Sequence, residues 1–367
     1  NRINSSYLWD IMSMPLKIGI VNLASKCWVV RPGVRYRFAS EFIENEIIAT
    51  AHLDNLQINE LTFSDPITQA NKASLLEGFN AITAKNVKPQ IESFVIDMKV
   101  GDVVFTLNSS QVIPGIIKSN PYYATDIFPA NEGFKVRRDV QWGDPIPRNR
   151  IPITIQKSFN AYQAIFSLGD NSKEVFHWLS SFFIDGNDYY SSLRIEQSAA
   201  LKHHTLKQLA ELIDRIQVLS IMISEHQSND ENPLNINYED LKNAMVRYSN
   251  GGLLDLTSQQ ILMSPGDLWL KFSSQSRYAG VAFLYLILTT ISPAQELEFT
   301  NQTYTSNLAE ITELIESNRN VIEYELDIPS IRRQLILSAA NQNSEFVDSN
   351  IEEDDFPSDG SSTHIGG

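Results

Sequence analysis

The stretch that most constrains this chain runs from Met98 to Trp142. It opens Met98-Lys99-Val100-Gly101-Asp102-Val103-Val104-Phe105-Thr106, where Gly101-Asp102 is a tight-turn dipeptide followed by apolar alternation. Successive strand side chains point to opposite faces, so Val103, Phe105 and Leu107 share one face and Val104 and Thr106 the other. Gln111 to Lys118 reads as a second strand and Lys135 to Trp142 as a third. Strands this short and this close together predict a small barrel or a strongly curled sheet.

The residues around it supply the rest of such a unit. Lys26 to Val30 is a strand, Gly33 turns it, and Arg37 to Glu44 is a short helix with Phe38 and Phe42 on one side. Glu46 to Ala51 is the next strand. Ser64-Asp65-Pro66 signals a helix over Thr68 to Ala84, and Lys88 to Met98 reads as another, with Ile91, Phe94, Val95 and Met98 on one face. Trp142 to Pro147 is a rigid turn, and Phe159 to Leu168 closes the unit.

The second half has a different rhythm. Lys173 to Phe183 is apolar all round and reads as a docking helix, broken by Asp185-Gly186-Asn187-Asp188. Tyr189 to Glu196 alternates as a strand, and Ala199 to Glu225 carries a helical apolar stripe from Leu201 to Ile223. A helix over Tyr238 to Tyr248 and a Pro265-Gly266 hairpin follow. The apolar run Tyr278 to Ile291 falls short of the ~20 residues of a membrane span and reads as a buried helix. Helices over Asn307 to Ser317 and Ser330 to Ala340 flank a strand over Val321 to Ile328.

The expected class is therefore α+β: a curled β-barrel with flanking helices, then a second α+β domain. In residues, an extension spans 1–13, the first domain 14–168, a docking helix and linker 169–187, the second domain 188–340 and a disordered acidic tail 341–367. Charge supports the division. Residues 14–160 hold 16 Lys and Arg against 14 Asp and Glu, whereas 161–367 hold 12 against 29. A polyanionic partner suits the first half and is disfavoured by the second. One cysteine, Cys27, excludes an internal disulfide and fits a reducing, cytoplasmic setting, and no signal-peptide pattern is present.

Catalytic signatures are missing. There is no P-loop, G-x-S-x-G, H-E-x-x-H or clustered Cys/His set, so neither cofactor nor metal is expected. His203 and His204 are helix neighbours pointing about 100° apart and cannot chelate one ion from one face. His177, in an apolar helix, reads as a core histidine.

Taken in order, Gly-Asp-x-Val at Gly101, Gly-x-Ile at Gly115, Tyr122-Tyr123 and Arg-Arg-x-Val-x-Trp at Arg137 form a pattern. Upstream stand Cys27-Trp28-Val29-Val30-Arg31-Pro32-Gly33 and Ile47-Ile48-Ala49. Over roughly residues 25–165 this resembles the PUA-like/EVE-like N-terminal domain of Mrr-type, modification-dependent restriction proteins. Val136 stands where many members carry His. The resemblance implies a DNA-binding reader of a modified or flipped base in a prokaryotic defence system, with DNA a better partner than RNA. The nuclease half of that family is not evident. Glu323-Tyr324-Glu325-Leu326-Asp327 and Glu296-Leu297-Glu298 carry acids without a lysine partner, so the second domain is left as an effector or interaction domain that docks a protein or self-associates, with no membrane role.

A module that reads one base needs flat apolar faces, cations for phosphates and polar groups for the base edge. Candidate faces are Trp28, Phe105, Tyr122, Tyr123 and Trp142, although both tryptophans read equally well as core. Candidate cations are Arg31, Lys118, Arg137 and Arg138. The last two are strand neighbours facing opposite ways, so only one can line a given pocket. Asp102 and Asn108 are the base-edge candidates. The competing reading is a non-catalytic scaffold protein whose first half binds no nucleic acid.

Overall fold

The computed structural model describes residues 16–52, 54, 81–126, 133–196, 201–229, 236–261, 266–291, 296–299 and 301–339. The expected extension, the acidic tail and most of the expected Thr68 to Ala84 helix lie outside these residues.

The protein is α+β and is built on two sheets. The first holds β2 (Cys27–Val30), β3 (Ile47–Thr50), β4 (Val103–Leu107), β5 (Gln111–Ile117), β6 (Tyr122–Tyr123), β7 (Val136–Trp142), β8 (Ile146–Pro147) and β9 (Ile165–Ser167). Its order is β3-β7-β5-β4-β2-β9, with β6 added on β7 and β8 on β5, and it curls into a half-barrel. Both faces are covered. On β4, Val103, Phe105 and Leu107 enter one core cluster and Val104 the opposite one, as the alternation predicts. Two helices pack on the Val104 face: α1 (Ala39–Glu44) and α2 (Ala81–Glu92), which continues into a π-helical turn, Ser93–Asp97. The break expected between Ala84 and Lys88 is absent, because α2 runs through and holds Pro89 inside it. A short helical turn, α3 (Ile153–Gln156), lies beyond β8.

The second sheet contains β10 (Phe182–Asp185), β11 (Asp188–Ile195), β12 (Thr257–Ile261), β13 (Gly266–Ser273), β14 (Leu297–Phe299) and β15 (Leu337–Ala339). Its remaining strand is β1 (Leu16–Ile20), which lies parallel to both β10 and β14. The expected first domain of 14–168 thus has its opening strand in the other sheet. The expected docking helix, Lys173 to Phe183, is shorter, because the apolar run splits into helix α4 (Ser172–Leu179) and β10, which takes over from Phe182 and runs to Asp185. Behind the sheet stand α5 (His203–Asn229), α6 (Tyr238–Asn250), α7 (Arg277–Ile291) and α8 (Gln302–Ser317). Helix α7 is buried nearly throughout, and Gly280 lets it lie directly on the Tyr189 ring, where any Cβ would clash. Among the described residues, no helix is long and apolar enough to cross a membrane.

The expected strand Val321 to Ile328 is instead helix α9 (Arg319–Glu325), followed by α10 (Ile328–Gln334) and then β15 where a longer helix was expected. Ile322 and Leu326 are buried one helical turn apart, and Arg319 pairs with Glu316 and Glu323. Helical spacing overrides the local strand propensity there.

Helix α4 joins the two sheets. Trp178 stacks on Phe105 of the first sheet, with ring centres 5.6 Å apart. His177 stacks on Trp269 of the second at 4.8 Å, and its Nδ1 meets Ser192 Oγ at 2.7 Å. Burial is the main cause that drops this imidazole to about 3, with Lys173 adding to it. The boundary at residue 168 therefore cuts through a shared core.

Candidate functional site: a cleft beside the turn after β2

Most of the candidate residues hold the fold together. Phe105 is fully buried and offers no face to solvent. Trp28 is also core, and its Nε1 donates to Asp102 Oδ2 at 2.8 Å. Asp102 further accepts the backbone N–H groups of Lys26 and Lys99, so its lone pairs tie the β4 turn to β2 rather than face a base edge. Asn108 closes the β4–β5 hairpin by accepting from the N–H groups of Ser110 and Gln111. Trp142 is buried, donating from Nε1 to Phe42 O at 3.0 Å. Cys27 is buried too, and burial pushes its thiol up to about 12.

Both arginines of β7 are consumed. Arg138 is 1% exposed, and its guanidinium donates to Phe94 O (2.8 Å), Met98 O (2.9 Å) and Ser119 O (3.0 Å). The first two bonds satisfy carbonyls left open where the π-helical turn ends, and the third ties in the segment between β5 and β6. Burial lowers Arg138 to about 10, against the opposing pull of Asp102, which leaves it charged at neutral pH. Arg137 donates from Nε to Phe134 O and pairs with the exposed Asp126 at 2.9 Å. The expectation that one of the two lines a pocket does not hold, since each has a fixed internal partner.

Lys118, Tyr122 and Tyr123 remain partly exposed. Tyr122 donates to Asp139 Oδ1 at 2.8 Å, and burial followed by that bond raises its hydroxyl to about 12. The Lys135 ammonium lies 5.8 Å from the Tyr123 ring centre.

Arg31 alone of the candidates lines a large cleft, about 670 Å³, between the turn after β2, the end of β3 and the start of β9. That volume lies within the usual range for small-ligand sites. The turn is tightly specified. Gly33 has φ 77°, and a Cβ there would come within 2.6 Å of the Phe38 ring. Arg35 (φ 55°) and Tyr36 (φ 60°) are both left-handed, a conformation that costs non-glycine residues energy. The turn is held by Tyr36 N–H to Gly33 O and Phe38 N–H to Pro32 O, and by the Arg148 guanidinium 4.6 Å over the Tyr36 ring. Arg31 Nη2 reaches across to the carbonyls of Phe159 and Ala161, bracing the β9 side.

The cleft floor is aromatic. Phe38 and Phe134 meet edge to face at 5.3 Å. Asp54 fixes Phe134 by accepting the backbone N–H groups of Phe134 and Lys135. The rim is cationic and apolar: Arg35 and Arg37 are exposed, Val34 is 80% exposed and Tyr162 is fully exposed. His52 also lines the cleft, and its Nε2 has no hydrogen-bond partner among the described residues. Burial holds this imidazole below its usual range, against Gln90 and Asp54, which pull the other way. Among the described residues, no group of three or more His, Cys, Asp or Glu is placed to hold a metal.

Arg35, Tyr36, Arg37, His52, Phe134 and Tyr162 were not singled out from sequence. One signal was present: Arg31-Pro-Gly-Val-Arg-Tyr-Arg37 places three arginines and a tyrosine around one glycine.

Residues 28–168 match the model of a family described as a domain of unknown function (DUF8426). The match starts in β2 and leaves out β1, in keeping with β1 lying in the other sheet. No curated protein and no solved structure matches the chain.

Proposed function

We propose that the half-barrel is a nucleic-acid reader and that the cleft after β2 receives one unstacked base. The observation that carries this reading is the combination of an aromatic floor with exposed Arg35 and Arg37 on the rim. Aromatic rings hold a base by stacking, and guanidinium groups on the rim can meet the flanking phosphates. The Arg37 guanidinium lies 4.3 Å over the Phe38 ring and must swing aside for a base to use that face. The resemblance to modification-dependent restriction proteins extends the proposal to a modified base, to DNA rather than RNA, and to a defence role. The second sheet then serves as effector or interaction domain, coupled to the reader through α4.

Anisotropy titrations with labelled oligonucleotides test this. Arg35→Glu should weaken binding at least tenfold at an unchanged melting temperature. Undiminished binding by that variant contradicts the cleft. No binding by the wild type even near 50 mM salt contradicts the reader. The scaffold reading would then hold, a reading favoured by the net charge of −15 and by the engagement of both β7 arginines.

A further inference from the structure

Arg148 is placed unlike the two arginines of β7. Arg138 spends its guanidinium on main-chain carbonyls, and Arg137 spends its own on Phe134 O and Asp126. Arg148 stands in the helical turn after β8, outside the residues that line the cleft. Its Nε and Nη2 are buried and have no hydrogen-bond partner among the described residues. Those two atoms form the side edge of the guanidinium, a parallel pair of N–H groups that grips two oxygens of one oxyanion. The Tyr36 ring, 4.6 Å from the guanidinium, offers it π electrons and fills neither position. A buried fork left empty costs free energy until an acceptor meets it.

The surrounding charge says which acceptor. The stretch from Lys26 to Ser40 holds four lysines and arginines and no acid, and that from Pro145 to Gly169 holds three and no acid, in a chain of net charge −15. The fold brings these two stretches together. Arg148 lies over Tyr36, Arg31 Nη2 donates to Phe159 O and Ala161 O, and β2 pairs with β9. Arg35, Arg150 and Lys157 are exposed on them. A carboxylate has two oxygens and one charge, which the fork alone uses up. A phosphate fills the fork and keeps further oxygens for a neighbouring cation.

We infer that the Arg148 edge is a phosphate site separate from the cleft, taking two oxygens of one phosphate group, free or in a nucleic-acid backbone. The edge is closed to water as it stands, so the half-buried side chain turns outward to receive the ligand. This goes beyond the base-cleft reading and does not depend on it.

The test melts the full chain in inorganic phosphate, in acetate and in chloride, at one pH and one ionic strength. Phosphate at about ten times its dissociation constant should raise the wild-type melting temperature by about 2 °C over chloride, and acetate should not. Arg148→Met removes only donors that have no partner, so in chloride it should melt near wild type, and the phosphate effect should vanish. Arg148→Lys keeps the charge without the fork and should also lose most of the effect, which covers the case in which Arg148→Met fails to fold. A second arm follows a labelled single strand against salt. A slope lower by about one in the Arg148 variants assigns the site to a backbone phosphate. An unchanged slope with the phosphate effect lost assigns it to free phosphate. Equal protection by acetate overturns the phosphate assignment. Phosphate protection that survives both substitutions, or no response of the wild type in either arm, overturns the site and leaves the edge to water only. Because Arg148 lies outside the cleft lining, Arg35→Glu should leave the phosphate effect in place, so failure of the cleft and failure of this site are told apart.

Discussion

The turn after β2 and the strand β7 carry the same residue types in one sheet, arginines beside aromatics, and use them in opposite ways. On β7, Arg138 is buried among main-chain carbonyls and Arg137 is held by Phe134 O and Asp126. In the turn, Arg35 and Arg37 are exposed over an aromatic-floored cleft, on a backbone held in left-handed conformations. A regular strand in a two-faced sheet has its side-chain directions dictated by the layers above and below it. A turn braced by Gly33, Phe38 and Arg148 can point cations outward. Within this sheet, charge on the turn is thus left exposed, whereas charge on the strand is taken up by partners within the fold.

Substitutions probe that contrast, beginning with the largest effect. Phe105→Ala should cost about 3–5 kcal/mol, since it empties a site packed against Phe159 and Trp178. Tyr162→Ala should stay within about 0.5 kcal/mol, because that ring is fully exposed. Urea unfolding of the two variants gives the comparison directly, and similar costs would mean the core and rim are misassigned.

Arg138→Ala comes next, with an expected loss of about 3 kcal/mol or more. It leaves several buried carbonyls without donors. Arg35→Ala is the matched control and should leave the melting temperature nearly unchanged. A stability loss for Arg35 equal to that for Arg138 would erase the distinction between strand and turn.

The helix joining the sheets predicts a pH effect. The His177 imidazole, at about 3 in the folded protein, is far below its unfolded value near 6.5. Between those values the unfolded chain binds more protons, so stability falls as pH drops from about 6.5 toward 3. It falls by up to about 1.4 kcal/mol per pH unit from this group. His177→Gln should flatten that part of the stability–pH curve, and an unchanged slope in the variant would contradict the buried neutral imidazole. Smallest of all, Asp126→Asn should cost under about 1 kcal/mol, because solvent screens the exposed carboxylate of the Arg137 pair.

Local pattern carried much of this in the sequence. The faces of β4, the long α5, the buried α7 and the core role of His177 all follow from spacing and apolarity. Three features did not. Strand β1 finds its partners, β10 and β14, far along the chain, and no local signal encodes that pairing. The acids and β-branched residues near Val321 resemble a strand until Ile322 and Leu326 pack one turn apart. The candidate site moved because sequence shows that Arg137 and Arg138 are charged but not that carbonyls of the π-helical turn and Asp126 lie within reach. The cleft itself draws on residues from 31 to 165, and only folding brings them together.

The central claim, that the turn cations and not the β6–β7 face meet nucleic acid, rests most directly on a salt titration. Binding of one labelled oligonucleotide would be followed from about 50 to 200 mM salt for wild type, an Arg35→Ala/Arg37→Ala variant and a Lys118→Ala/Lys135→Ala variant. Each cation that contacts a phosphate contributes about one to the slope of log affinity against log salt. The arginine pair should therefore lower affinity and reduce the slope by about two, with the lysine pair close to wild type. Loss of affinity and slope in the lysine variant alone would place the ligand beside Tyr122 and Tyr123 and contradict the cleft.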